Sequence, residues 1–336
     1  MKIVVDAMGS DRHPQPDVEG AVQAAREYGV EIVLVGNKDV VEPELTKYDL
    51  SGLALSVVHT SQIIEMKEHP AAAVKSKKDA SMVVGMKMLK QRQVDAFVSA
   101  GNSGGVLASA LFYLGRIKGV KRPALSSVFP TRKGACFLLD LGANADCKPE
   151  YLLQFAIMGS VYAERVLGIP NPRVAIVSNG EEEGKGNALV QATYPLLKAS
   201  GLNFIGNAEG KDIPAGLADV VVTDGFTGNV IVKLSEGVAG FLLGVLKEEI
   251  KSRPLATLGA LLAKPAFKQV AKRLDYREYG GGPLLGVDGV VIVAHGRSDS
   301  LAIKNAIRVA KQAVEMDTLN TIRDGIAQSL TQFAKE

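Results

Sequence analysis

The chain has no tryptophan, and aromatic residues make up only 5% of its 336 positions. That scarcity argues against an aromatic-rich binding surface. Cysteine is nearly missing too. Cys136 and Cys147 fall in neither a CxxC nor a metal-ligand spacing, which excludes a disulfide scaffold and points to a reducing, cytoplasmic setting. Charge of one sign is not in excess, since 39 Lys and Arg against 36 Asp and Glu leave +3. So small a balance gives no reason to expect nucleic acid, and any basic surface must be a local patch. The 4 histidines form no HExxH motif and no cluster with carboxylates, so no metal is indicated. Long apolar runs are missing as well. Asp6 interrupts the N-terminal run too early for a signal peptide. The uncharged stretch 96–115 is broken by Asn102, serines and glycines, whereas a span needs roughly 20 predominantly apolar residues.

Glycine is plentiful at 35 residues, without a collagen period, which suits many tight turns between strands and helices. Short Val/Ile/Leu runs are predicted as strands at 2–6, 31–36, 53–58, 94–99, 124–130, 135–141, 173–178, 203–206, 220–223 and 290–294. Amphipathic segments at 16–28, 79–91, 151–167 and 187–199 lie between them. This alternation predicts an α/β fold, a largely parallel sheet with helices on both faces. The TRKG link between 124–130 and 135–141 predicts a hairpin. Without a linker or repeat, residues 1–336 read as one α/β unit, in which any two lobes share a sheet system around a central cleft.

Where strands stop, the residues become small and polar: DAMGSD (6–11), SAGNSGG (99–105), DLGANAD (140–146), SNGEEEGKGN (178–187) and TDGFTGN (223–229). Open α/β sheets bind ligands outside the carboxyl ends of their strands. Each loop alone could be only a turn; together they predict a polar cleft.

The segment 180–186 resembles a phosphate loop but is no Walker A sequence, being one residue short and lacking Ser or Thr after Lys185. A Gly-Lys-Gly at a helix start can still hold one phosphate through backbone amides and an ammonium. The alternative is a lysine paired with its neighbouring glutamates. Gly101 to Gly105 formally satisfies G-x-S-x-G, and Asp224 and His295 follow in the order of a serine hydrolase triad. Against that stands a Ser103 hydroxyl that only binds ligand or caps a helix. Residues 251–273 carry six basic residues, Lys264 and Lys268 among them, and no acidic one. Leu255, Leu258, Leu261 and Leu262 stripe their first half. Such an amphipathic basic helical pair over 251–274 fits an anionic membrane surface or an acidic protein. Burial at a subunit interface fits equally.

Taken in order, these loops, with EMKEHPAAAVKSKKDASM (65–82) and LDYREYGGGPLLGVDG (274–289), resemble the PlsX family of phosphate acyltransferases. Ser10 stands where that family usually has a second Gly, and Ser103-Gly104-Gly105 where Thr-Gly-Ala is usual. The resemblance implies a three-layer α/β/α sandwich akin to the isocitrate/isopropylmalate dehydrogenases and the phosphotransacetylases, and a homodimer. It implies transfer of a fatty acyl group from acyl carrier protein to inorganic phosphate for bacterial phospholipid synthesis, with neither metal nor nicotinamide. On that reading Lys185, Asn179, Gly184, Gly186 and Asn187, together with the turn of Gly101, Asn102, Ser103 and Gly104, bind phosphate or substrate. Asn144 and Asn229 donate to phosphate or the oxyanion, and Asp224 orients Lys233 or accepts a proton. The acidic carrier would dock on Lys75, Lys77 and Lys78, with Lys87, Lys90 and Arg92 behind them. The protein would sit in the cytoplasm and touch the membrane peripherally through Leu255, Leu258, Leu261, Leu262, Lys264 and Lys268. A serine thioesterase and a decarboxylating dehydrogenase are the competing enzymes; a non-catalytic membrane adaptor is the competing binder.

Overall fold

Strands and helices alternate along the chain as the hydrophobic period predicts, in a computed structural model that describes residues 1–333. The first part runs β1 (Lys2–Asp6), α1 (Gln15–Tyr28), β2 (Glu31–Gly36), α2 (Lys38–Leu45), β3 (Leu55–His59), α3 (Pro70–Ser76), α4 (Ser81–Lys90), β4 (Ala96–Ser99) and α5 (Ser103–Ser109). A π-helical turn at Ala110–Leu114 extends α5. The middle runs β5 (Ala124–Thr131), β6 (Gly134–Leu139), α6 (Pro149–Arg165), β7 (Val174–Val177), α7 (Ala188–Lys198), β8 (Phe204–Ala208), α8 (Asp212–Ala215) and β9 (Val220–Val222). Then come α9 (Gly225–Lys251), α10 (Pro254–Leu262), α11 (Lys264–Leu274), α12 (Tyr276–Tyr279), β10 (Gly282–Leu285), β11 (Val290–Val293), α13 (Ser300–Glu315) and α14 (Thr318–Phe333).

The 11 strands form one sheet in the order β3-β2-β1-β4-β11-β10-β5-β6-β9-β7-β8. One end, β3 to β11, is parallel throughout, and so is the other, β6 to β8. Between them β10 and β5 run antiparallel to their neighbours. In β1 every residue after Lys2 is buried, as a strand covered on both faces must be. At the β1 end, α1 and α13 pack on one face and α4 and α5 on the other. At the β7 end, α6, α7 and α14 cover one face, while Ile213, Ile231 and Val232 line the other. The layering is therefore helix–sheet–helix.

The predicted hairpin forms, with Thr131 opposite Gly134. Strand β10 was not predicted, because GGGPLLG reads as turn chemistry. Here glycine serves packing: a Cβ on Gly282 would lie 1.8 Å from the Ser126 carbonyl oxygen. The helical pair at 251–274 forms as expected, but the projection starts earlier, on α9. Only Gly225 and Gly228 of its 27 residues are buried, and α10 and α11 bury none. By length and composition alone, α9 is apolar enough to cross a membrane.

Gly282→Ala should therefore pry β10 from β5 and lower stability by about 1–3 kcal/mol or more, the cost of overpacking. Urea unfolding checks this; an unchanged midpoint would mean the seam between the two parallel blocks tolerates a methyl.

Candidate active site

Two buried carboxylates organise the loops at opposite parts of the sheet. Asp140, just past β6, accepts backbone N–H groups from Leu125, Gly142, Ala143 and Asn144 at 2.7–3.2 Å, and the Asn144 side-chain amide at 2.9 Å. Burial pushes its pKa up, and the hydrogen bonds from Asn144, Ala143 and Leu125 oppose that shift. The start of α9 presses onto the same backbone, so closely that a Cβ on Gly228 would lie 1.9 Å from the Asp140 carbonyl oxygen. Asp6, ending β1, accepts from Met8 N and from the Ser99 hydroxyl, which itself accepts from Gly101 N at 3.0 Å. One carboxylate thus sets two turns, 7–11 and 99–105.

The 178–187 turn is also held from within. Asn179 Oδ1 accepts from Gly186 N at 2.9 Å, and Asn187 Oδ1 caps α7 by accepting from Val190 N. Glu183 pairs with Lys198 and Glu181 with Lys211. The Lys185 ammonium is exposed and, among the described residues, has no hydrogen bond or ion pair, so it is not spent on the neighbouring glutamates. Asp224 caps α9, its carboxylate accepting from Thr227 N at 2.9 Å and Thr227 Oγ1 at 2.8 Å. Between this turn and the start of α9 lies a cavity of ≈ 490 Å³. Ser178, Asn179, Gly186, Asn187, Thr223 and Asp224 form its polar wall, and Leu152, Ile176, Leu189 and Val190 its apolar one. The N-termini of α7 and α9 therefore both open on one space. Backbone N–H groups and helix dipoles favour an anion there.

Other predicted residues take different partners. Asn144 donates its amide to the Pro123 carbonyl and to Asp140, and Asn229 donates to the Leu141 carbonyl at 2.9 Å, so both brace the loop. Asn102 donates to the carbonyls of Glu65, Met66 and Glu68 and caps α5 through Gly105 N. Ser103 is exposed beside it. Asp224 does not orient Lys233, because its oxygens go to Thr227. No hydrogen bond or ion pair joins the 101–105 turn to the 179–187 turn among the described residues. Among the described residues Ser103, Asp224 and His295 do not converge as a hydrolase triad: His295 lies 3.6 Å from Glu236, three helical turns along α9 from Asp224.

That last contact belongs to a group the sequence reading missed. Glu236, on α9, accepts from Arg297 at 2.6 Å, and Lys233 and His295 stand near it. Burial, Arg297 and Lys233 lower the His295 pKa while Glu236 raises it, burial weighing most. Twelve residues of helix, about 18 Å, separate Glu236 from the Asp224 cap. Nothing in the composition singled out Arg297 among 39 basic residues. Its position just beyond β11, next to a strand-end Gly whose carbonyl accepts from Asp11 N at 2.7 Å, was the available signal. For a metal, the described residues offer one group, Glu181, Glu209 and Asp212, and Lys211 already occupies two of its members.

A family described as "Fatty acid synthesis protein" matches residues 1–321. Proteins named phosphate acyltransferase are 52% identical to this chain in Alkaliphilus oremlandii, over 97% of this chain and 98% of that one, and 51% identical in Elusimicrobium minutum, over 100% and 98%. The chain belongs to this family. It is the PlsX family whose motifs the loops resemble. Among solved structures, a phosphotransacetylase from Streptococcus pyogenes matches with a TM-score of 0.62 at 17% identity, covering 94% of each chain. A phosphotransacetylase from Staphylococcus aureus matches at 0.56 and 18%, covering 93% of this chain and 94% of that one. These likenesses show the expected fold kinship with phosphotransacetylases.

Against the family pattern, Ser10 gains a role here. Its hydroxyl donates at 2.5 Å to Asp17, a fully buried carboxyl in the first turn of α1 whose other oxygen has no partner. Burial pushes the Asp17 pKa from 3.8 to about 8. Between those values the folded chain keeps a proton that the unfolded chain has released, so this group makes stability fall as pH rises through that window. Asp17→Asn should remove that slope: its stability relative to the parent should improve from about pH 5 to about pH 9. Denaturant titrations at each pH measure it, and a pH-independent difference would contradict a protonated Asp17.

Proposed function

We propose that this chain transfers a fatty acyl group from the thioester of acyl carrier protein to inorganic phosphate. The observation that carries the proposal is the cavity onto which two helix N-termini open, with the unpaired Lys185 beside it. The relatives' names speak for acyl transfer to phosphate, and not for hydrolysis or hydride transfer. Phosphate dianion is a competent nucleophile at neutral pH, so no acyl-enzyme is needed. A phosphate oxygen attacks the thioester carbonyl, the C–S bond breaks, and the proton carried by phosphate ends on the departing thiolate. The products are acyl phosphate and free thiol. Backbone N–H groups around Gly184 and Asn187, with Lys185, hold the dianion, while the Gly186 N–H, spent on Asn179, fixes the turn. Among the described residues, Asp224 is the one ionisable side chain lining the cavity, which makes it the candidate proton acceptor. The exposed Ser103 and half-buried Gly104 of the 101–104 turn receive the substrate's acyl side. Positioning and preorganised donors supply the rate, one oxyanion donor being worth roughly 3 kcal/mol.

Two surfaces extend the proposal. Phe226, Val230, Leu234, Val238 and Phe241 are 47–68% exposed and recur at spacings of four and three along α9. That seam fits a second copy of the chain, which supports a homodimer. On α10, Leu255, Leu258, Leu261 and Leu262 are 61–86% exposed, and Lys264 and Lys268 follow on α11. This tip suits reversible contact with an anionic bilayer, where each basic residue contributes up to about 1 kcal/mol. Releasing a reactive amphiphile there places it beside a membrane enzyme that consumes it.

Incubation with acyl-carrier thioester and labelled phosphate should give labelled acyl phosphate and thiol in equal amounts. Thiol release independent of phosphate would sink the proposal. Lys185→Ala should raise the KM for phosphate about tenfold or more, whereas Ser103→Ala should leave turnover standing, because no serine nucleophile is used. Leu258→Glu with Leu262→Glu should abolish binding to anionic vesicles and spare the dimer, read by sedimentation. Loss of the dimer would show instead that these leucines join subunits.

A further inference from the structure

Of the three lysines expected to dock the carrier, Lys77 is engaged inside the chain. Its ammonium donates to Glu68 at 2.7 Å and to the Ile63 carbonyl at 2.7 Å. Lys75 and Lys78 behave differently. Lys75 Nζ lies 5.2 Å from the centroid of the Phe112 ring, and Lys78 and Lys87 lie 5.9 and 5.6 Å from that of Tyr113. Lys87 also donates to the Lys78 carbonyl, and Lys90 to the Leu114 carbonyl. Among the described residues, none of these four lysines forms an ion pair, although Lys87 lies near enough to Asp79 to help lower that carboxyl's pKa. Phe112 is 52% exposed on the π-helical turn, with Lys75 at its ring and Lys78 and Lys87 at the next ring along. Cation–π contacts hold the stems in place without neutralising the charge.

This face is tied to the 101–104 turn by two short helices that start at the turn and lead to the face. α3 begins at Pro70, whose ring would stand 2.7 Å from a Cβ on Gly104, and reaches Lys75 about 8 Å further on. α5 begins at Ser103 and continues into the turn bearing Phe112 and Tyr113.

We infer that Lys75 at the exposed Phe112 ring, with Lys78 and Lys87 at the neighbouring Tyr113 ring, form the docking face for an acidic helix of the protein that carries the acyl thioester. The inference rests on the proposed acyl transfer and names where its donor is held. The pattern, an exposed apolar ring flanked by ammonium groups that no ion pair ties down, matches a helix presenting carboxylates beside an apolar hollow. A bilayer would need a wider apolar face, like the one on α10. Preformed charge of this kind acts mainly on the association rate and is screened by salt.

The test has two arms. In the first, fluorescently labelled holo-carrier protein, which bears no acyl group, is titrated by anisotropy against Lys75→Glu/Lys78→Glu and against Phe112→Ser. Both should bind about tenfold or more weakly at low salt, with unchanged thermal midpoints, and only the charge variant should converge on the parent at high salt. In the second arm, KM for the acyl-carrier thioester should rise about as much with kcat kept, while turnover of an acyl-pantetheine thioester stays the same. Unaltered carrier affinity would overturn the inference, as would equal losses on both thioesters. So would a charge variant that loses only its binding to anionic vesicles. If the parent binds the carrier through this face yet releases no thiol with phosphate, the docking face stands and the proposed reaction falls.

Discussion

A carboxylate buried at the end of a strand and filled with hydrogen bonds from the following turn is the constraint on which the rest depends. Asp140 does this beside β6 and Asp6 beside β1. Leaving a carboxylate dry is expensive unless its oxygens are satisfied, so each strand end has one arrangement of its loop that repays burial. Asp140 thereby sets where α9 begins, and Asp6 sets the 99–105 turn through Ser99. The 99–105 turn and the start of α9 are consequently held by interior carboxyl groups, whereas the 178–187 turn is held by its own Asn179 and Asn187.

That division explains how much was legible. β1 and β2 have the bounds predicted from their Val/Ile/Leu runs, and the hairpin turn lies where TRKG placed it, because burial on both faces and turn chemistry are local signals. β10 was hidden, since its glycine exists to admit the Ser126 carbonyl, a neighbour about 160 residues away in sequence. The site loops were found as glycine-, asparagine- and serine-rich strand ends, and four of the residues singled out line one cavity: Asn179, Gly186, Asn187 and Asp224. The roles of Asn102, Asn144 and Asn229 were not legible. An amide that binds substrate and one that braces a loop are the same residue in a sequence; only the carbonyls around them decide. Arg297 was missed for the converse reason, as its significance lies in Glu236 across the fold.

Helix α9 joins these levels. Its first turn caps against Asp140 and Asp224 and closes the cavity; three turns later Glu236 holds Arg297; beyond that, apolar residues face outward and lead to the α10 tip. A single element thus runs from the cavity to the outward-facing apolar residues of α9 and the α10 tip. On the proposed function, one helix would join the chemistry to the surfaces proposed for assembly and membrane contact.

The central claim is that phosphate binds between the 178–187 turn and the start of α9. A crystal structure of the protein soaked in tungstate, a heavy phosphate mimic located by its anomalous signal, tests it most directly. The account predicts the anion in the cavity lined by Asn179, Gly186, Asn187 and Asp224, with the Lys185 ammonium turned onto it. An anion bound only beside Arg297, with that cavity vacant, would contradict it.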